Sequence, residues 1–280
     1  MNSYIGIDLG GTSIKGGRIE NGILVQKEEY PVNRQGTQQS VFDDICALIT
    51  RLITPDVLGI GFAAPAVIDF ENGIIYGLSN IPQFNGFAIQ KALEARFTAE
   101  IKIQNDANCF VLGEKHFGQA KGVSNVVGLI TGTGVGAGIV IGGKLHNGEN
   151  FGAGELGMIP YLDSCYEDYC SGQFFTRIHN KSGEEFALLA GQNDDQAKLA
   201  FFEYGQHLGS LLNLICYVLD PQMVVIGGSV SKSFPLYEKG LLDAMKIFYF
   251  DHPVKMKIVA STIADVAIYG AVGLFLNPTE

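Results

Sequence analysis

Two glycine-rich runs and a few acidic residues carry most of the chemistry this chain could perform. Asp8-Leu-Gly-Gly-Thr12 and Thr131-Gly-Thr-Gly-Val-Gly136 each follow an apolar run with strand character. Glycine leaves backbone N–H groups open to close approach, so such turns can cradle an oligophosphate. Either turn alone is equally well an ordinary hairpin turn; as a pair they point to phosphate. The binding set expected from the first is Asp8, Gly10, Gly11, Thr12 and Lys15, and from the second Gly132, Thr133, Gly134, Val135 and Gly136. Asp8 can orient Mg²⁺, through water, because that ion keeps much of its hydration shell on phosphates.

Asp106 follows an apolar strand (101–104) and precedes a helix, so it can cap that helix or act as a proton acceptor. A capping carboxylate is a weak base. Phosphoryl transfer tolerates one, because its transition state is loose and position matters more than basicity. Glu155, in Gly152-Ala-Gly-Glu-Leu-Gly157, and Glu167 are either solvated loop acids or acceptors of hydrogen bonds from hydroxyl groups.

Gly132-Thr-Gly-Val-Gly-Ala137 also satisfies a dinucleotide-binding fingerprint. That fingerprint needs a helix starting inside the motif, whereas Ile139-Val-Ile141 continues as strand, so an oxidoreductase is set aside. The uncharged stretch 122–143 is long enough to cross a membrane, but eight of its residues are glycine. It reads as two strands joined by a tight turn.

The elements that must position these residues look duplicated. A shift of 122 positions places Gly6 on Gly128, Gly10 on Gly132 and Gly16 on Gly138, while Asp8 falls on Ile130. Only one turn can therefore also hold a cation. Between the hairpins, 41–52 has helical spacing, 57–62 reads as a buried strand, and Glu71-Asn-Gly73 as a hairpin turn. A helix from Asp106 to about Phe117 is expected, then after the second hairpin a mostly helical stretch ended by Asp220-Pro221. A strand at 223–226 and a last helix at 265–275, returning to the first lobe, complete the reading. Two similar α/β lobes are the implied architecture.

Composition narrows the class. A net charge of −10 without any Lys/Arg cluster disfavours nucleic acid and anionic membrane surfaces. No secretory leader is visible at the N-terminus, and five cysteines, an odd number, suit a reducing compartment, so a cytoplasmic location is expected. With 36 glycines, many loops are expected to bring backbone close to something.

These motifs together resemble the ROK family of repressors, open reading frames and sugar kinases, within the actin-like ATPase superfamily. The resemblance rests on the two phosphate turns, Asn105-Asp106, the loop 148–157 with Glu155, and Val225-Ile-Gly-Gly-Ser229. It implies a two-lobed actin-like ATPase (ribonuclease H-like) fold with duplicated lobes around a central cleft. The small lobe would comprise 1–113 plus 266–280, and the large lobe 114–265. It further implies ATP and Mg²⁺ as cofactors, Gly227 and Gly228 at the nucleotide, and phosphorylation of a hexose, usually at the 6-hydroxyl. Asp106 would be the base. Asn105, Glu155 and Glu167 would bind sugar hydroxyls, with Pro65, Ala66 and Asn80 from the small lobe. Glucose is the first choice, with N-acetylmannosamine, fructose and a β-glucoside as alternatives, and a homodimer is compatible with the family.

Two departures stand out. Met158 occupies a position where family kinases carry a histidine that touches both sugar and zinc. Cys165-Tyr-Glu-Asp-Tyr-Cys170 retains only one of the family's cysteines and its glutamate. Four N or S ligands make a tetrahedral zinc site, so no structural zinc is expected. A non-catalytic sugar-binding or ATP-binding protein is one rival reading. The other, a repressor, would need a DNA-reading module ahead of the first phosphate turn, and that turn begins at Asp8.

Overall fold

A computed structural model describes residues 2–78, 80–246 and 255–276. The first half of the chain forms β1 (Ser3–Leu9), β2 (Ser13–Glu20), β3 (Ile23–Pro31), α1 (Gln38–Leu52), β4 (Val57–Ala64), β5 (Val67–Asp69), β6 (Ile74–Tyr76), α2 (Ile89–Glu94), β7 (Glu100–Asn105) and α3 (Asp106–Phe117). Then come β8 (Val126–Thr131), β9 (Val135–Ile141), β10 (Lys144–Leu145), β11 (Pro160–Tyr161), β12 (Ser164–Cys165), α4 (Tyr166–Cys170), α5 (Gln173–His179), α6 (Gly183–Gly191) and α7 (Asp195–Leu219). The chain closes with β13 (Met223–Gly227), α8 (Phe234–Met245), β14 (Lys257–Ala260) and α9 (Val266–Gly273).

Two five-stranded sheets share one plan. Their orders are β3-β2-β1-β4-β7 and β10-β9-β8-β13-β14. In each, a leading hairpin is antiparallel (β1 with β2, β8 with β9), and the first strand then pairs parallel with a later one (β4, β13). The duplication read from the glycine spacing is thus present in the strand order. The registers differ by one residue. Gly6 pairs with Gly17, whereas Gly128 pairs with Gly138, because four residues separate Leu9 from Ile14 and three separate Thr131 from Val135. The 122–143 stretch is a β-hairpin within a sheet, and no helix among the described residues is long and apolar enough to cross a membrane.

The chain divides into two compact units. Unit 1 comprises Met1–Gly122, Gly143–Ala153 and Thr262–Glu280; unit 2 comprises Val123–Gly142 and Gly154–Ser261. Within unit 1, α1 begins at an N-cap where the Thr37 side chain accepts from Ser40 N, and buries Val41, Ile45, Leu48, Ile49 and Leu52 against Ile5, Ile7 and Leu9. α9 packs against β1, β4 and α3. It can approach so closely because a Cβ at Gly6 or Gly61 would run into the carbonyls of Ile268 or Ala271, and one at Gly270 into that of Cys109. These glycines therefore serve strand-to-helix and helix-to-helix contact, a use that the glycine content by itself did not suggest.

Unit 2 has its own core, with Leu129, Val224 and Ile226 from the sheet against Phe175, Phe201, Tyr204 and Leu208. Its long helix α7 starts at Asp194, whose carboxylate accepts from Ala197 N at 2.8 Å. It stops at Asp220, which takes a left-handed φ of 41° just before Pro221.

Candidate active site

Within unit 1, β1 delivers Asp8 beside the first glycine-rich turn. The turn is closed by Gly10 N donating to Ser13 O at 2.9 Å, and Val32 N donates to Thr12 O at 2.9 Å. No acceptor among the described residues meets the amides of Gly11 and Thr12, so both remain available to an anion. Asn80 lies over this turn, since a Cβ at Gly11 would come 2.7 Å from its Nδ2. Asp8 pairs across the hairpin with Lys15. Its carboxyl is pushed up to about 6, first by burial and then by the nearby Asp106, against the pull of Lys15. A buried carboxyl this costly to ionise, with a second acid nearby, is a hard-oxygen setting suited to a divalent cation.

The Asn105-Asp106 pair sits where β7 hands over to α3. The cap of α3 is Asn105, not Asp106: Asn105 Oδ1 accepts from Ala107 N at 2.8 Å and Asn108 N at 3.4 Å. An extended residue before the first helical one is what a side-chain cap requires, and that residue is Asn105. Its Nδ2 donates to Ala66 O at 3.0 Å, which ties the cap to the turn after Pro65. Asp106 is the first residue of the helix, where the macrodipole favours a carboxylate. Its Oδ1 accepts from Ala107 N at 2.8 Å.

Within unit 2, the second turn is braced from outside. Gly132 N donates to Gly134 O at 3.0 Å, Gly172 N to Gly132 O at 2.7 Å, and Gln173 Nε2 to Thr133 O at 3.0 Å. Glu167, on α4, accepts from Val135 N at 3.0 Å through Oε2. The amides of Thr133 and Gly134 meet no acceptor among the described residues. Gly136 continues into β9, so no helix follows the dinucleotide-like motif. Gly227 ends β13 and Gly228 follows it, with Thr131 Oγ1 donating to Gly227 O at 3.3 Å. Gly228 has a φ of +87°, and a Cβ there would strike Thr131 O. Beside this turn opens a cleft of about 760 Å³, lined among others by Thr133, Gln173, Phe175, Glu184, Ser229 and Lys232.

Glu155 precedes a 3₁₀ turn ending at Met158. Its carboxyl is raised, by burial first and Glu167 second. Met158 is 53% exposed. Cys165 lies on β12, while Cys170 is buried and its thiol is pushed up by burial. Among the described residues no group of three or more His, Cys, Asp or Glu is arranged to hold a metal ion.

The structure thus brings Asp8, Lys15, Asn80, Ala66, Asn105 and Asp106 together in unit 1, and Glu155, Glu167 and the second turn together in unit 2. Sequence reasoning missed Gln173, Phe175, Glu184 and Lys232, which line the cleft. Ser171-Gly172 just ahead of Gln173 was the available signal.

The model of the ROK family matches residues 4–277. The chain belongs to the ROK family. Among its ROK relatives is the N-acetyl-D-glucosamine kinase of Escherichia coli K12, 30% identical over 272 residues, covering 86% of this chain and 88% of that one. The ROK hexokinase of Thermus thermophilus superposes with a TM-score of 0.83 at 26% identity, over 96% of each chain. A ROK glucokinase from Streptomyces griseus, solved with glucose and AMPPNP, shares the fold at TM-score 0.83 and 24% identity, over 98% of this chain and 99% of that one.

Proposed function

We propose that this ROK protein is an ATP-dependent kinase of a hexose, acting at the 6-hydroxyl with Asp106 as proton acceptor. The reading is carried by one observation: two glycine-rich turns on matching sheets each hold out amides that meet no acceptor among the described residues, and the first of them has Asp106 acting electrostatically on its Asp8. The amides of Gly11, Thr12, Thr133 and Gly134 would bind phosphate oxygens and stabilise charge there as the γ-phosphoryl moves. Asp106, held by the first turn of α3, would accept the hydroxyl proton, and its fixed position offsets its weak basicity. Glu155, with Asn80 and Asn105, would orient sugar hydroxyls. Glu167 would add a second carboxylate oxygen to that task while the first keeps Val135 N.

Asp8 is the residue that would hold Mg²⁺, through water, and the ion would supply positive charge against the phosphates. The raised carboxyl supports this, because a neighbouring cation would offset both the desolvation that burial imposes and the repulsion from Asp106. The 760 Å³ cleft beside Gly132 and Ser229 is large enough for a nucleoside and would take the base of ATP. Glucose is the first substrate to try. The N-acetyl-D-glucosamine of the Escherichia coli relative, N-acetylmannosamine, fructose and a β-glucoside complete the panel. The test is coupled ADP release over that panel with wild type and Asp106→Asn. A fall in kcat of roughly 10²–10⁴-fold is expected for loss of a general base. Retention of most of kcat, or no ADP release with any sugar, would overturn the reading.

A further inference from the structure

Beside the Asn105-Asp106 pair runs a chain of three side-chain amides that the reaction above does not use. Gln104 ends on β7 next to the cap, and it and Asn108 are each about 5% exposed. One main-chain group fixes the orientation of the whole chain. Gln104 Oε1 accepts from the N–H of Asn105 at 2.8 Å, and an N–H can only donate. The same oxygen accepts from Asn108 Nδ2 at 3.2 Å. Nε2 is thereby turned the other way and donates to Asn147 Oδ1 at 3.0 Å.

Asn147 belongs to 143–153, a segment that packs within unit 1. Within unit 1 the segment also makes the edge-on contact of Phe151 with Phe70, at 4.6 Å between ring centres. Phe151 itself holds a left-handed φ of 60°, an uncommon conformation for an aromatic residue. Two residues after Ala153 the chain reaches Glu155. A part-buried hydrogen bond and the aromatic contact together hold one arrangement of this loop, in which Phe151 keeps its left-handed conformation.

We infer that Gln104 is a positioning residue, which ties the loop 146–153 to the start of α3 and so holds loop and Asp106 in one register for the sugar. The inference rests on the reading of Asp106 as the base. The chemistry of residue 104 fits the task. A neutral amide both accepts from the cap residue and donates to the loop, whereas a carboxylate could only accept and would add a third negative charge near Asp8 and Asp106. An aliphatic side chain would leave Asn105 N and Asn108 Nδ2 without their acceptor.

The test compares Asn147→Leu, Asn147→Asp and Gln104→Leu in the full-length protein. Asn147 is half-buried, so its variants carry the test even if Gln104→Leu folds poorly. In Asn147→Leu, KM for the sugar should rise roughly 3- to 10-fold, the size of one lost hydrogen bond, with KM for ATP unchanged and kcat lowered less. Amide exchange across 146–152, measured without substrates, should accelerate. Asn147→Asp keeps an acceptor for Gln104 Nε2 and should restore both readouts. An Asn147→Leu protein with unchanged sugar KM and unchanged exchange would overturn the inference, as would an Asn147→Asp protein that behaves like Leu. Exchange does not depend on catalysis. If Asp106→Asn stays active while the loop responds as expected, the assignment of the base fails and the tie stands.

Discussion

The two glycine-rich turns grow from the same sheet plan and differ in what surrounds them. The first spans four residues, carries Asp8 at its entrance, and is held by its own hairpin and by Val32. The second spans three residues and has Ile130 where Asp8 would be. Glu167, Gln173 and Gly172 grip its backbone from α4 and the start of α5. One turn concentrates charge; the other is a braced backbone clamp. Duplication supplied the scaffold, and side chains arriving from elsewhere in the chain made the difference.

That contrast can be broken at either end. The largest effect after loss of Asp106 is expected from Asp8→Asn, which should lower kcat/KM by about 10- to 100-fold, the scale for losing a group that supports a metal. The same change should act oppositely on stability in protein free of nucleotide and divalent cations. The folded-state pKa of Asp8 is raised from 3.8 to about 6, so wild type loses stability as pH climbs through that interval. The variant lacks this loss. It should match wild type below pH 4 and exceed it by on the order of 1–3 kcal/mol above pH 6, measured by urea unfolding across pH.

At the clamp, Gly228→Ala should destabilise by about 1–3 kcal/mol, because φ is positive there and Thr131 O blocks a Cβ. Thermal unfolding measures it, and a full-strength fold in that variant would mean that the turn after β13 has slack. The smallest effect belongs to Glu167→Gln. It keeps an oxygen for Val135 N, so KM for ATP should move only a few-fold. The titration of Glu155, followed by NMR, should shift downward once the neighbouring charge is gone. An unmoved Glu155 would show that burial alone raises it.

Much of the fold could be read from local pattern. The glycine repeat at 122 positions, the hairpin turns, the helix after Asp106 and the stop at Asp220-Pro221 depend on neighbours in sequence, and each appears in the structure. The roles of Glu167 and Gln173 were hidden, because each meets a partner 32 or 40 residues away. Asn105 was mistaken for a neighbour of the cap because Asn and Asp are both good caps; only the backbone angle separates them. That Gly6, Gly61 and Gly270 lie in two strands and a helix was legible, but not why each must be glycine. The carbonyls that forbid them a Cβ lie far along the chain.

The packing of α9 bears on the order in which the protein can be completed. Unit 2 draws its residues from 123 to 261 with one interruption, so all of them are present before the last helix is made. The sheet of unit 1 has its strands by residue 105, yet the face carrying Gly6 and Gly61 waits for 266–273 to cover it. On a ribosome, the earlier-made sheet is therefore the later-finished one. Truncation just ahead of α9 would leave an uncovered glycine-lined face in a unit whose every strand had already formed.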